Sequence, residues 1–359
     1  MRRMIYFTLV LAVISVPVYG DDNAQSHIIK DVKYYPMLDG YCAMTALRMN
    51  LSYYGIEAEQ SLLLNLGWDY GFYYMAYPGH AVAFPDTNPI EEIVFAAEHL
   101  GFKAEVITHE SLDAAKKTIV KYISQDKPVI VQWLPHTVLA YGYKDGGAKI
   151  IYHDPGRPRS PIEKFTGGNF PIGLGEGVEK DVNEWVGWPM MWNMRQFAVI
   201  VIEPVDKKAK IDWKVIWKRN AEKTLGLIQD KYPGNYGISG LQEMANSINA
   251  ASSQNTGQDA KILENLEMTF ELGVGFRRDA ATFLAGQASV LKDENLSKAS
   301  NKFLESAHRF GEGLSLLRSF KGHPEKLSEV EKGMVQIIQQ IIDSEKSAAN
   351  SLLDAGGTK

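Results

Sequence analysis

The chain has 359 residues, 45% of them hydrophobic and 11% aromatic, which excludes wholesale disorder and leaves material for more than one core. The formal charge of −5 comes with no concentrated run of Lys and Arg, which argues against nucleic acid as a partner, because phosphate binding needs a basic surface.

Residues 1–20 read as a signal peptide. Arg2 and Arg3 precede an apolar stretch from Met4 to Pro17, and Val18-Tyr19-Gly20 puts small or modest residues ahead of a cleavage point at Gly20/Asp21. The apolar stretch is short for a membrane span, which takes about 20 residues. The expectation is an exported protein, periplasmic or extracellular, with no stable membrane span after cleavage. A lone thiol, Cys42, is a liability in such a compartment unless it is buried or useful.

From 28 to 205 the pattern is mixed. Tyr41 to Tyr54 predicts a helix, with Ala43, Ala46, Leu47, Leu51 and Tyr54 near one face and Gly55 as its stop. Further helices are predicted at Ser61 to Leu66, at Asn88 to Leu100 (opened by Pro89 and closed by Gly101) and at Leu112 to Ser124. Strands are predicted at Ala104 to Thr108, Pro128 to Leu134, Thr137 to Tyr143, Lys149 to Tyr152 and Phe197 to Glu203, with Asp145-Gly146-Gly147 as a turn. Helices first and hairpin strands afterwards predict an α+β domain, with helices packed on an antiparallel sheet.

From 211 to 354 strand signals disappear and Ala, Glu, Lys and Leu dominate. Helices are predicted at Trp213 to Gln229, Gly240 to Ala251, Gln258 to Lys292, Ser297 to Phe320 and Glu325 to Leu353, forming an all-α bundle. Residues 355–359 read as a frayed end.

A catalytic thiol needs a lowered pKa, a base within reach and a group that orients the base. Cys42 sits at the predicted start of a helix, where unpaired N–H groups and the helix dipole favour a thiolate and can form half of an oxyanion hole. His136, between two predicted strands, is the candidate base. Asp154, at the end of the next strand, is the candidate that orients it and fixes its tautomer. His153 competes with His136, but alternation turns it away from its neighbour Asp154. His80 lies on a predicted loop and is a lesser candidate for substrate contact.

Cys42 followed by Leu47, then Tyr53-Tyr54-Gly55, then a strand leading into His136, then Tyr152-His153-Asp154-Pro155, resembles papain-like cysteine domains of the C39-peptidase type. The closer resemblance is to the group of the butirosin biosynthesis protein H, an acyltransferase group with a Gly- and aromatic-rich segment like Gly67 to Tyr74 and a helical C-terminal domain. The resemblance covers about residues 30 to 205. It implies a papain-like domain with Cys42 as nucleophile, His136 as general base and acid, and Asp154 as orienter. The C39 pattern carries a glutamine about six residues before the cysteine, where this chain has Pro36, and Ala43-Met44-Thr45 replaces the usual residues after it. The second oxyanion donor is therefore unassigned, with Gln132 a candidate.

Other signals are weaker. The stretch from Gly173 to Gly177 lacks the strand and helix of a nucleotide fingerprint and reads as a flexible loop. Trp185, Trp188 and Trp192 with Met190, Met191 and Met194 read as core, or as a wall facing substrate. No His or Cys spacing indicates zinc, so neither metal nor cofactor is expected. Asn50-Leu51-Ser52 and Asn295-Leu296-Ser297 are formal glycosylation sequons. The expected function is an exported thiol-dependent acyl-transfer enzyme acting on a peptide or small-molecule acyl substrate. The alternatives are a catalytically inactive papain-like binding protein, and an assembly role in which the helical half binds a partner or dimerises, for example through Ile337, Ile338, Ile341 and Ile342.

Overall fold

The computed structural model describes residues 26–36, 41–67, 70–77, 80–84, 88–133, 136–155, 197–205, 211–228, 234–254, 258–320 and 323–357. The expected signal peptide, the glycine stretch at 173–177 and the Trp/Met cluster at 185–194 lie outside the described residues.

The first half runs β1 (His27–Ile28), α1 (Cys42–Tyr53), α2 (Gln60–Asn65), β2 (Tyr73–Tyr77), β3 (His80–Phe84), α3 (Pro89–His99), β4 (Phe102–His109), α4 (Leu112–Ile123), β5 (Val129–Trp133), β6 (His136–Lys144), β7 (Lys149–His153) and β8 (Phe197–Pro204). The second runs α5 (Trp213–Leu225), a two-residue β9 (Asn235–Tyr236), α6 (Gly237–Gln254), α7 (Gln258–Leu291), α8 (Glu294–Phe320) and α9 (Leu327–Ala355). The protein is α+β, an antiparallel sheet with helices followed by a helical region in which the short β9 is the only strand among the described residues.

Local chemistry explains the boundaries. Ser111 Oγ accepts the Ala114 N–H at the start of α4, and Asn88 Oδ1 accepts the Ile90 N–H at the start of α3, where Pro89 stands first. Between β6 and β7 the turn Asp145-Gly146-Gly147 runs at φ 54°, 64° and 93°, the left-handed region that two glycines make accessible.

The main sheet has the order β1-β6-β5-β8-β4, with β7 paired to β6. Its register sorts the side chains into two layers. Ile130 pairs with Leu139 and Ile200 on one face, packed beneath Met44, Leu47 and Leu51 of α1 and Ile93 and Ala97 of α3. Val131 pairs with Val138 and Val199 on the other, against Ala115, Ile119 and Ile123 of α4. Covering both faces explains why β5 and β8 read as nearly unbroken apolar runs.

The two halves are joined through the Gly- and aromatic-rich segment. β2 and β3 form a hairpin that the sequence reading did not separate, and β9 adds a third strand, pairing Tyr73 with Tyr236 and Tyr74 with Asn235. Phe72 and Tyr74 share a core with Leu241 and Met244 of α6, Phe270 of α7 and Ile338 and Ile341 of α9. Tyr70 packs with Trp217, Phe303 and Leu352 in another. The apolar stripe of α9 is therefore core: Ile338 and Ile341 are fully buried, Ile342 is nearly so, and Ile337 packs against the same cluster.

Polar contacts fasten the same junction. Glu92 of α3 is buried and takes both Arg219 guanidinium donors, at 2.9 and 3.0 Å, and the Lys223 ammonium at 2.9 Å. Lys223 is fully buried and also donates to the Gly67 carbonyl at 2.5 Å. Burial alone would raise the Glu92 pKa, but the charges and hydrogen bonds of Lys223 and Arg219 outweigh it and hold the carboxyl below its ordinary range. Gly67 runs at φ 150°, and a Cβ there would stand 2.4 Å from both Arg219 Nη1 and Glu92 Oε2.

Candidate active site

α1 begins at Cys42 with no side-chain cap from Tyr41, whose backbone has φ −103° and ψ 33°. The turn is held through the Tyr41 carbonyl, which accepts the Thr45 N–H at 3.0 Å and the Thr45 hydroxyl at 2.9 Å. Gln60 Nε2 in turn donates to Thr45 Oγ1 at 3.2 Å. Cys42 is half-buried at this helix start, the kind of place where backbone N–H groups favour an anion.

The other end of α1 is pinned to the start of β5. Asn50 Nδ2 donates to the Pro128 carbonyl at 2.9 Å, and the Tyr53 hydroxyl donates to the Asp126 carbonyl at 2.8 Å. Twelve helical residues span about 18 Å, close to the length of β5 at about 3.3 Å per residue. α1 thus has about the length of β5, whose other end is at Trp133. There the chain turns into β6 at His136, which pairs with Trp133. β7 ends at the same side of the sheet, since His153 pairs with Leu139 and Asp154 follows it. The backbone positions of His136 and Asp154 fall toward one end of the sheet. His80 opens β3, on the separate three-stranded sheet.

Asp154 is buried, and its carbonyl accepts the Tyr34 hydroxyl at 3.5 Å. Burial, reinforced by the Asp154 charge, raises the Tyr34 pKa. His153 is committed elsewhere. Its Nε2 lies 3.1 Å from the Val32 carbonyl, an acceptor that places the proton on that nitrogen. The ring stacks on Tyr141 at 4.3 Å and meets Tyr34 edge-on at 5.4 Å. Burial pushes the His153 pKa down, and the Val32 bond only partly opposes this. Burial thus favours the neutral form of His153, and Val32, Tyr141 and Tyr34 hold its ring in place.

Gln132 shares a sheet face with Ile130 and Leu139, the face covered by α1. It is buried; its Oε1 accepts the Thr137 hydroxyl at 2.6 Å, and its Nε2 has no partner among the described residues. No group of three or more His, Cys, Asp or Glu side chains suited to a metal occurs among the described residues, and no described helix is long and apolar enough to cross a membrane.

One contribution to the site had no sequence signal. The Tyr41 side chain, buried next to Cys42, reaches into the helical half. Its hydroxyl donates to Asp279 Oδ2 at 2.9 Å, and its ring stacks on Phe276 at 4.6 Å. Between those residues, the fully buried Arg277 donates to the Gly71 carbonyl at 2.9 Å and pairs with Glu345 at 2.5 and 3.2 Å. Ser306 also donates to Glu345, at 2.9 Å. A single turn of α7 therefore grips both the residue before Cys42 and the Gly-rich segment.

A model of the Peptidase_C39 like family matches residues 29–167. The matched span includes α1, β5, β6 and β7 and ends before β8, which lies between β5 and β4 in the sheet. No curated protein matches the chain. The C39-like part of the resemblance is thus supported over that span, and the resemblance to the butirosin group is not.

Proposed function

We propose that the chain is an exported thiol-dependent acyl-transfer enzyme, a papain-like cysteine hydrolase or acyltransferase, with Cys42 as nucleophile, His136 as general base and acid, and Asp154 as the orienting carboxylate. The observation that supports this most is the placement of Cys42 as the first residue of α1, a helix pinned at its other end to the start of β5, with His136 and Asp154 arising toward the opposite end of the strands. All three residues lie inside the span that matches the C39-like family.

In this reading the Cys42 thiolate forms an S–C bond to the carbonyl carbon of an amide, ester or thioester. The carbonyl electron pair moves onto oxygen, where the first-turn N–H groups of α1 receive it. Collapse breaks the bond to the leaving group, which takes its proton from the His136 imidazolium. Water or an amine then gives its proton to His136, attacks the acyl thioester and releases Cys42. Gln132, a buried amide whose Nε2 has no partner among the described residues, on the face beneath α1, is the candidate for the second oxyanion donor.

The test is a covalent trap. The protein is mixed with a panel of activated esters, aminoacyl amides and acyl thioesters, quenched in acid and weighed intact. An acyl adduct that maps to Cys42 and is absent from Cys42→Ala supports the reading, whereas undiminished turnover in Cys42→Ser ends it. Export is tested by the N-terminus of the mature protein, expected at Asp21. The second reading, a papain-like shell that binds without reacting, is favoured by Pro36 standing where the family has its oxyanion glutamine. It predicts stoichiometric binding of a panel member with no adduct.

A further inference from the structure

We infer that Asp279, on α7 of the helical half, is a positioning residue for the nucleophile, acting through Tyr41. The inference rests on the reading of Cys42 as an activated thiol and adds a role for the helical half.

Tyr41 is the hinge between the incoming chain and α1. Its backbone dihedrals set where the N–H groups of the first turn point, and no side chain of its own caps that turn. Its carbonyl is already committed to Thr45. Its side chain is held from two sides by α7: the Asp279 carboxylate on the hydroxyl and the Phe276 ring against its face. The pair is separated by 238 positions in sequence, so it forms only when the helical half is seated. The same turn of α7 cannot drift, because Arg277 is tied to Gly71 and to the buried Glu345. A hydrogen bond to a carboxylate is short and directional, whereas burial of the Tyr41 ring by itself leaves rotation about its side chain to packing alone. Interactions between a helix terminus and a charge fall off within one turn, so a small displacement of this hinge is felt at the Cys42 sulfur before it is felt in the fold.

The experiment is the rate of Cys42 alkylation by iodoacetamide against pH, in the full-length chain, for wild type, Tyr41→Phe, Asp279→Ala and the double variant. Thr269→Val is the control. Thr269 also seats α7 on the sheet half, donating to the Ala83 carbonyl at 2.6 Å, but on β3 rather than at Tyr41. Thermal unfolding is recorded for each. The expected result is an alkylation midpoint raised by about one pH unit toward the ordinary thiol value of about 8.5, and a rate at pH 6.5 reduced about tenfold, in both single variants. The double variant should be no worse than either single variant, because both act through one bond. Thr269→Val should lose thermal stability with the wild-type alkylation profile. A wild-type profile in Tyr41→Phe and Asp279→Ala overturns the inference and leaves the nucleophile reading standing, as does a shift in Thr269→Val that simply follows stability. A wild-type midpoint near 8.5 overturns the nucleophile reading, and the inference with it.

Discussion

Replacing Glu92 by leucine removes the carboxylate but keeps most of its volume. Lys223, with no exposed side-chain surface, would then lose its carboxylate partner, and Arg219, 15% exposed, would lose both of its carboxylate bonds. Removing one member of a buried ion pair costs about 3–5 kcal/mol, because the remaining charge is neither solvated nor paired. At a urea dependence of about 3 kcal/mol per molar, that moves the denaturation midpoint down by about 1–1.7 M. Lys223→Met should cost less, since Arg219 still neutralises Glu92 with two bonds. The double variant Glu92→Leu/Lys223→Met should recover at least about 1 kcal/mol of the summed single costs. Acid should reproduce the effect. The folded protein holds Glu92 below the ordinary glutamate value of about 4.3, so the unfolded chain takes the proton more readily. The stabilisation is complete above that value and is lost as pH falls through the folded pKa. Urea titrations at pH 7 measure the costs. A Glu92→Leu midpoint within about 0.3 M of wild type, or strictly additive variants, would refute the reasoning.

Gly67→Ala should cost about 2–4 kcal/mol, since its Cβ would collide with the Glu92–Arg219 pair at a φ that side chains rarely adopt; thermal melts check this, and a loss under about 0.5 kcal/mol would contradict it. His153 should titrate below the ordinary histidine value in an NMR titration, because burial lowers its pKa. Its contribution to stability is complete above the unfolded value of about 6.5 and lost as pH falls through the folded one; a resonance titrating at 6.5 or above would contradict this. Arg277→Met should leave Glu345, which has no exposed side-chain surface, with the Ser306 hydroxyl but without its guanidinium partner, and cost about 3–5 kcal/mol, whereas Arg277→Met/Glu345→Met should recover much of it; urea midpoints again decide.

The elements that the sequence made legible are those whose signal is local. Helical periodicity and stop residues placed α1, α3 and α4 to within a residue or two, and the long helices of the second half were found by the same pattern. The Asp145-Gly146-Gly147 turn announced the β6–β7 hairpin. β2 and β3 were missed because the aromatic content of Gly67 to Tyr74 reads as a compositional segment, and because its burial comes from helices more than 140 residues away, as in the core that Tyr74 shares with Leu241. β9 is two residues long and has no period to detect. The position of β8 between β5 and β4 is a matter of register with distant strands, which an apolar run alone does not specify. In the site region, the helix start at Cys42 and the strand start at His136 were readable. The commitment of His153 to Val32, and the grip of Asp279 and Phe276 on Tyr41, depend on tertiary contacts with no footprint in local spacing.

The central claim is that Cys42 is a nucleophile activated by His136, and its most direct test is the pH dependence of Cys42 alkylation in the mature protein beside His136→Ala. The account predicts rapid alkylation well below the unperturbed thiol value of about 8.5, lost in the variant. Slow alkylation that follows an ordinary thiol titration and is unchanged in His136→Ala would contradict it, and would leave the binding protein as the better reading.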